Sequence, residues 1–263
     1  MLVVKYGGNA LIHSGEMDPV LEAIGDAFVD GDRVVLIHGG GPQIDKALAE
    51  KGLGKERVGG YRVTTPEVFN VVEMVLCGQV LRTITNYLIA SEVNAIGITA
   101  GDGGIVLARR MMPVVDGKKI DIGLVGEVVS VNPDLLKTLL ASEYLPVISP
   151  IALDEEGNAL NINADLIAGA IGGALKADQV VFLTDVDGIY SDWPKQESLI
   201  KEITVSDLEK LLPTLADGMI PKVSAVMNAI LSGAKSARIV NGTKLKSVLD
   251  AFAGAGGTVV IGA

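Results

Sequence analysis

The chain has a single cysteine, Cys77, among its 263 residues. One thiol excludes an intrachain disulfide and a cysteine metal cluster, and it suits a reducing compartment, so the expected location is cytoplasmic. Cys77 falls in an apolar helical stretch and reads as core. Histidine is nearly as scarce. His13 has no partner motif nearby, and His38 reads as a structural residue at a strand end. Positive charge is short as well: 22 Lys and Arg stand against 32 Asp and Glu, for a formal net charge of -10 and a pI of about 4.7. That balance argues against a nucleic-acid partner. It also means that an anionic substrate must be met by local positive charge rather than by the global field. The chain opens on a strand with no charged n-region and apolar h-region. It has no uninterrupted apolar run long enough to span a bilayer, so neither a signal peptide nor a membrane partner is expected.

The common phosphate-binding signatures are missing too. There is no G-x-x-x-x-G-K-[ST], no strand-linked G-x-G-x-x-G with a downstream acid, and no H-R-D or D-F-G. What the chain has instead is a series of glycine-rich and lysine-bearing strand ends. They are Lys5-Tyr6-Gly7-Gly8-Asn9-Ala10, His38-Gly39-Gly40-Gly41-Pro42, Asn161-Ile162-Asn163-Ala164-Asp165 and Asp217-Gly218-Met219-Ile220-Pro221-Lys222. Glycine turns offer backbone N–H groups to anionic oxygens, and two lysines from opposite halves of the chain offer charge. That equipment suits holding and transferring a phosphoryl group.

Hydrophobic residues make up 49% of the chain, which suits a parallel sheet covered on both faces. Short β-branched runs at Leu2–Val4, Val34–Ile37, Ala95–Thr99, Leu145–Ile148, Gln179–Leu183, Ala237–Val240 and Thr258–Ile261 read as buried strands. Helical stretches alternate with them, at Pro19–Val29, Pro42–Lys51, Pro66–Ala90, Pro133–Ala141, Ala164–Leu175 and Lys222–Leu231. The pattern predicts an α/β fold, a three-layer αβα sandwich around an open, mainly parallel sheet. Ile105–Val129 reads as a small antiparallel excursion with a hairpin turn at Asp116-Gly117-Lys118. A polar turn at Asp154–Asn158 marks a soft boundary between an N-terminal lobe, 1–150, and a C-terminal lobe, 151–263, built on one continuous sheet.

Each motif has a plainer reading beside the functional one. Lys5 follows a strand in the place where open parallel sheets bind ligands, although surface lysines also follow strands. Three glycines between a strand and the helix opened by Pro42 let N–H groups approach an anion, and a tight turn rarely needs three. Arg62 sits near the N-terminus of a helix capped by Thr65 and opened by Pro66, where a cation gains nothing from the dipole. A carboxylate from the protein or from a substrate would explain it. Asn161, Asn163 and Asp165 would share one face of an extended segment and suit a polar small molecule. Alternatively Asn163 caps a helix and Asp165 meets its dipole, which leaves Asn161 over. Thr184–Tyr190 follows a strand and suits a nucleotide-contacting loop more than a metal site. Lys222 lies in a first helical turn, which disfavours a cation unless it serves an anion.

Together with Gly60-Tyr61-Arg62-Val63-Thr64 and Thr184-Asp185-Val186-Asp187-Gly188, these segments resemble the amino acid kinase family in type and order over essentially the whole chain. The Arg62-Val63-Thr64 and Asn161–Asp165 pair resembles members that act on an acylated amino acid. The resemblance implies ATP-dependent phosphorylation of the γ-carboxylate of N-acetyl-L-glutamate, a step of arginine biosynthesis. By motif, Lys5 and Lys222 would stabilise the transferring phosphoryl group, and Asp165 would orient both. Gly8, Gly39 and Gly40 would donate backbone N–H groups. Arg62 and Asn161 would hold the substrate's α-carboxylate and N-acetyl group, with Asn163 beside them. Thr184, Asp185, Val186, Gly188, Ile189, Tyr190, Asp217, Gly218 and Met219 would line the nucleotide site. Mg²⁺ would travel with the ATP phosphates, with no protein metal ligands. Gly101-Asp102-Gly103-Gly104 lacks a lysine that many members place before the aspartate, and it receives no role.

Arginine-inhibited members carry an extra helix before the first strand. Its absence here implies a homodimer without arginine feedback, joined through Pro66–Ala90 by Val68, Val71, Val72, Val75 and Gly78. Two other readings stay open at this point. One is a related kinase for aminoadipate or glutamate linked to an acidic carrier protein, and the other is a non-catalytic sensor on the same fold.

Overall fold

The computed structural model describes residues 1–7, 18–115, 117–215 and 219–262. The first half runs β1 (Leu2–Tyr6), α1 (Pro19–Val29), β2 (Val34–His38) and α2 (Gly41–Glu50), then a hairpin of β3 (Arg57–Val58) and β4 (Tyr61–Arg62). A helical run follows as α3 (Pro66–Glu73), a π-helical segment (Met74–Val80) and α4 (Leu81–Ala90). Next come β5 (Ala95–Thr99), β6 (Val106–Arg110), the hairpin β7 (Val114–Val115) and β8 (Lys118–Lys119), β9 (Val125–Val131) and α5 (Asp134–Ala141). The second half holds β10 (Leu145–Ser149), β11 (Ile151–Leu153), β12 (Ala159–Ile162), α6 (Ala164–Ala174), β13 (Gln179–Thr184), β14 (Glu202–Thr204), α7 (Val205–Leu211), α8 (Ile220–Leu231), β15 (Ser236–Asn241), α9 (Leu245–Phe252) and β16 (Thr258–Ile261).

Eight strands form one sheet in the order β14-β16-β15-β13-β1-β2-β10-β5, and every pairing is parallel except β15 with β16. All seven expected sheet strands are there, and the edge strand β14 is the addition. Strand alternation sorts the core into two layers. Val3, Val35, Ile37 and Phe182 face α6 and α8, whereas Leu2, Val4, Leu36 and Leu183 face the layer of α1, α3, α4 and α9. The three-layer α/β sandwich expected from the sequence is the observed architecture.

α6 is laid closely on its neighbours. A Cβ at Gly169 would stand 2.5 Å from the Ala225 carbonyl oxygen on α8, and one at Gly172 would stand 2.3 Å from Val180 on β13. Only glycine permits that approach, and it brings the start of α6 beside the start of α8.

The middle of the chain departs from expectation in extent. β6 and β9 pair antiparallel, but β11 and β12 join them in a small closed barrel, so the excursion continues past residue 150. The polar turn at Asp154–Asn158 is the tip of the β11–β12 hairpin. The Asp154 carboxylate accepts from the Glu156 and Asn158 N–H groups at 3.1 and 2.7 Å.

The long helical run also differs. Val68, Val71, Val72 and Val75 are all buried in the subunit's own core, so the stripe expected at an interface is spent internally. Gly78 on the same run is exposed, with no heavy atom within 4 Å of an added Cβ. Pro66–Ala90 is long and apolar enough to cross a membrane by length and composition alone. However, 56% of its most apolar window is buried inside the protein, as befits a core helix.

Candidate active site

A cleft of about 450 Å³ opens beyond the carboxyl ends of β1, β2 and β13, where the starts of α2, α6 and α8 converge. It is lined by Lys5, Gly39, Gly40, Arg62, Asn161, Asn163, Asp165, Thr184, Asp185 and Lys222. Segments far apart in sequence meet because their strands are neighbours: β1 lies between β13 and β2.

Lys5 shares the strand face of Val3, the face covered by α6. Its Nζ lies 3.0 Å from Asp165 Oδ1, in the first turn of α6, with the two side chains only 11% and 10% exposed. The contact is close in distance but not aligned as a hydrogen bond, and Oδ1 is a buried acceptor without one. Charge therefore fixes the ammonium's position. Lys222 enters the same cleft from the first turn of α8.

The glycine turn after β2 corrects one expectation. The Gly39 N–H donates to the Tyr6 carbonyl at 2.9 Å, extending the β1–β2 ladder, so it is not available to a phosphoryl group. The N–H groups of Gly40 and Gly41 follow it at the start of α2, where helix amides have no internal acceptor. Glycine at position 40 lets the turn sit close on the π-helical segment, since a Cβ there would stand 2.8 Å from Leu76 Cδ2 and one of the two would have to shift.

Arg62 is 7% exposed. One of its two possible carboxylates comes from the protein: Nη2 donates to Asp45 on α2, which also faces Arg57 at 3.8 Å. Arg62 Nη1 is buried without a partner, so the fork retains a donor in the cleft wall.

The shared extended face drawn for Asn161, Asn163 and Asp165 does not form. β12 stops at Ile162, Asn163 turns the chain, and Asp165 is already helical. Asn163 Oδ1 accepts from the Asp165 and Leu166 N–H groups at 2.7 and 3.4 Å, which is the capping role. The residue left over, Asn161, lines the cleft from β12, and its Nδ2 lies 3.5 Å from Thr64 Oγ1.

Among the described residues expected at the nucleotide, Thr184 and Asp185 line this cleft and the other described ones pack inward. Thr184 Oγ1 itself is tied to the Val186 N–H at 3.2 Å and to the Val240 carbonyl at 3.2 Å. Val186 and Met219 pack on the core. A Cβ at Gly188 would stand 2.5 Å from Thr258 Oγ1, and Ile189 is fully buried. The Tyr190 hydroxyl donates to Gln196 at 3.0 Å, and its ring meets Trp193 edge to face. Gly8, Asp217 and Gly218 lie outside the described residues.

Sequence reasoning missed several lining residues. Thr243 follows β15 in Asn241-Gly242-Thr243, a strand end with a glycine like the others, and the same rule would have found it. Asp45 carries no such signal, because only the fold brings α2 against the β3–β4 hairpin. Cys77 is half-buried, and burial raises its thiol pKa, in keeping with an inert core residue.

The profile of the amino acid kinase family matches residues 1–241. The chain is 44% identical over 262 residues to the acetylglutamate kinase of Saccharopolyspora erythraea, covering 99% of this chain and 86% of that one. It is 44% identical over 270 residues to the acetylglutamate kinase of Kineococcus radiotolerans, covering 99% and 90%. The carbamate kinase of Giardia lamblia bound to AMP-PNP matches in structure with a TM-score of 0.72 at 20% identity, covering 100% and 98%, a likeness of fold. On the sheet topology, the cleft at its strand ends and a match running through both, this chain belongs to the amino acid kinase family.

Proposed function

We propose that this chain is an acetylglutamate kinase, transferring the γ-phosphoryl group of ATP to the γ-carboxylate of N-acetyl-L-glutamate in arginine biosynthesis. The observation that carries the reading is one cleft holding Lys5 against Asp165, Lys222 beside them, and Arg62 with a buried open donor. The full-length likeness to acetylglutamate kinases names the acceptor and disfavours a carrier-linked one.

The acceptor is already ionised, so the reaction needs no general base. Its difficulty is bringing two anions together, which calls for fixed positive charge and amides. Lys5 approaches the transferring group from β1 and Lys222 from α8, and Asp165 on α6 holds Lys5 in place. Gly40 and Gly41 present N–H groups to the reacting oxygens, with the α2 dipole behind them. Arg62 takes the substrate's α-carboxylate through Nη1, and Asn161 meets the N-acetyl group. Thr184 and Asp185 meet the nucleotide.

Mg²⁺ would arrive on the ATP phosphates rather than in a protein cage. When bound, Mg²⁺ would offset negative charge on those phosphates. The division into residues 1–150 for acceptor binding and 151–263 for ATP binding, homodimeric assembly through the Pro66–Ala90 run, and action in the cytoplasm belong to the same proposal.

The test is ATP-dependent acyl-phosphate formation trapped with hydroxylamine. N-acetylglutamate, glutamate, aspartate and carrier-linked aminoadipate are compared side by side. N-acetylglutamate is expected to give the dominant signal, and a stronger signal from any other acceptor overturns the assignment.

A further inference from the structure

His38 ends β2 and is fully buried, and it does not line the cleft. Its Nδ1 lies 2.9 Å from the carbonyl oxygen of Gly39. A carbonyl only accepts, so Nδ1 carries the proton and the ring is the Nδ1–H tautomer. Nε2 is left as a buried acceptor with no partner. Burial pulls the imidazole pKa down to about 4, so the ring stays neutral at neutral pH.

The hydrogen bond has a geometric consequence. Both polar groups of Gly39 are held: its N–H by the Tyr6 carbonyl at 2.9 Å and its C=O by His38 at 2.9 Å. The peptide joining Gly39 to Gly40 is planar and trans, so its C=O and N–H point in opposite directions. A carbonyl pinned toward His38 aims the Gly40 N–H away from His38, and Gly40 lines the cleft. The Gly40 carbonyl is held separately, by the Ile44 N–H at 2.9 Å, but glycine at both positions adds no side-chain restraint on the peptide between them.

We infer that His38 is a positioning residue for catalysis: through its Nδ1–H bond to the Gly39 carbonyl it fixes the Gly39–Gly40 peptide so that the Gly40 N–H is preset toward the oxygens of the transferring phosphoryl group. The inference rests on the kinase reading above. A donor preset for the transition state raises kcat without tightening ground-state binding. The buried, unpaired Nε2 costs stability, which makes His38 a poor choice if its purpose were stability alone.

Two substitutions separate aim from stability. His38→Phe keeps a ring of similar size and removes the donor together with the unpaired Nε2. His38→Asn keeps an N–H donor near the place of Nδ1 and leaves a cavity. Removing one oxyanion donor typically lowers kcat by roughly 10²-fold. We therefore expect His38→Phe to melt near or above the wild-type temperature and to lose about that factor in kcat. Both KM values should stay within about threefold of wild type, as expected for an interaction made only in the transition state. His38→Asn should melt lower and hold kcat within about tenfold of wild type, because it retains the donor. A structural role predicts the opposite order, with activity following stability. The inference is overturned if His38→Phe keeps wild-type kcat, or if His38→Asn is as slow as His38→Phe. If His38→Phe does not fold, His38→Leu takes its place under the same criteria. The wild-type enzyme is assayed first with ATP and N-acetylglutamate: no acyl phosphate there sinks the kinase reading itself, whereas an active wild type with indifferent variants sinks only the role of His38.

Discussion

The two ends of the central sheet handle charge in opposite ways. At the carboxyl ends of the strands, Lys5 and Asp165 are about nine-tenths buried, and their contact is not completed as a hydrogen bond. Arg62 Nη1 and His38 Nε2 are buried near the same end without partners. At the amino ends, Asp178 is 56% exposed, and its carboxylate is bonded to Lys235 and to the Met1 amine, both at 2.6 Å. Buried, incompletely satisfied charge destabilises a fold and persists where a ligand uses it. Exposed pairs cost little and contribute little. The comparison predicts that changes at the carboxyl end act on rate and substrate affinity, and changes at the amino end act weakly on stability alone.

The sharpest test is Lys222→Ala. The charge is wanted most where charge shifts in the transition state, so kcat should fall by roughly 10²-fold, about 3 kcal/mol, with the fold intact. Steady-state kinetics beside a thermal melt reads both. A variant with wild-type kcat would remove Lys222 from the mechanism and break the contrast between the ends.

Gly40→Ala comes next. The new methyl would meet Leu76 Cδ2 at 2.8 Å and Val80 Cγ2 at 3.4 Å, so either the turn or a buried leucine must move. Overpacking of this kind costs about 1–3 kcal/mol of stability. Because the turn aims backbone donors, kcat should fall roughly tenfold as well. A stable Gly40→Ala enzyme with full activity would show that the donor's aim is not critical.

Arg62→Lys should act on binding. A lysine keeps the charge but loses the planar fork that serves Asp45 through Nη2 and offers Nη1 to the cleft. KM for N-acetylglutamate should rise about tenfold, with kcat and the KM for ATP little changed, the mark of uniform binding. Equal rises in both KM values would place Arg62 outside the acceptor site.

The same contrast explains what could be read from the sequence. Every expected sheet strand is in the sheet because each is a short apolar run; the central ones, β2, β10 and β13, are buried on both faces, and the signal needs no knowledge of partners. Lys5, Asp165 and Lys222 were legible for a related reason: each sits at an element terminus, and termini of parallel α/β elements share one end of the molecule. Two kinds of information were not legible. One is which backbone groups the fold itself consumes. Gly39 looks like a donor until the ladder to Tyr6 is drawn, and Asn163 looks like a ligand until it caps α6. The other is which members of a turn face inward. Gly188 and Ile189 follow a strand end as Thr184 and Asp185 do, yet they pack toward Thr258 and the core. The β11–β12 hairpin was missed because its polar turn reads equally well as a boundary.

Asp178 gives the smallest expected effect and the check from the other end of the sheet. The Lys235 ammonium, and then the Met1 amine, hold its carboxyl pKa down from the ordinary 3.8 to about 2. A carboxylate whose pKa is lowered in the folded state contributes stability above its unfolded pKa and loses it as pH falls through the folded value. The contribution is therefore complete at neutral pH, begins to fade near pH 4 and is gone below about 2. Solvent screening at this exposure holds it to less than ~1 kcal/mol. Asp178→Asn should lower neutral-pH stability by no more than that amount. It should also flatten the part of the acid-unfolding curve between pH 4 and 2 that this group supplies. Urea melts at pH 7, 4 and 2.5 measure both. Asp178 stands at the opposite end from the cleft, so kcat and both KM values at neutral pH should match wild type. A change in kcat beyond twofold would mean that the amino end is coupled to the site, and the division of labour between the two ends would fail.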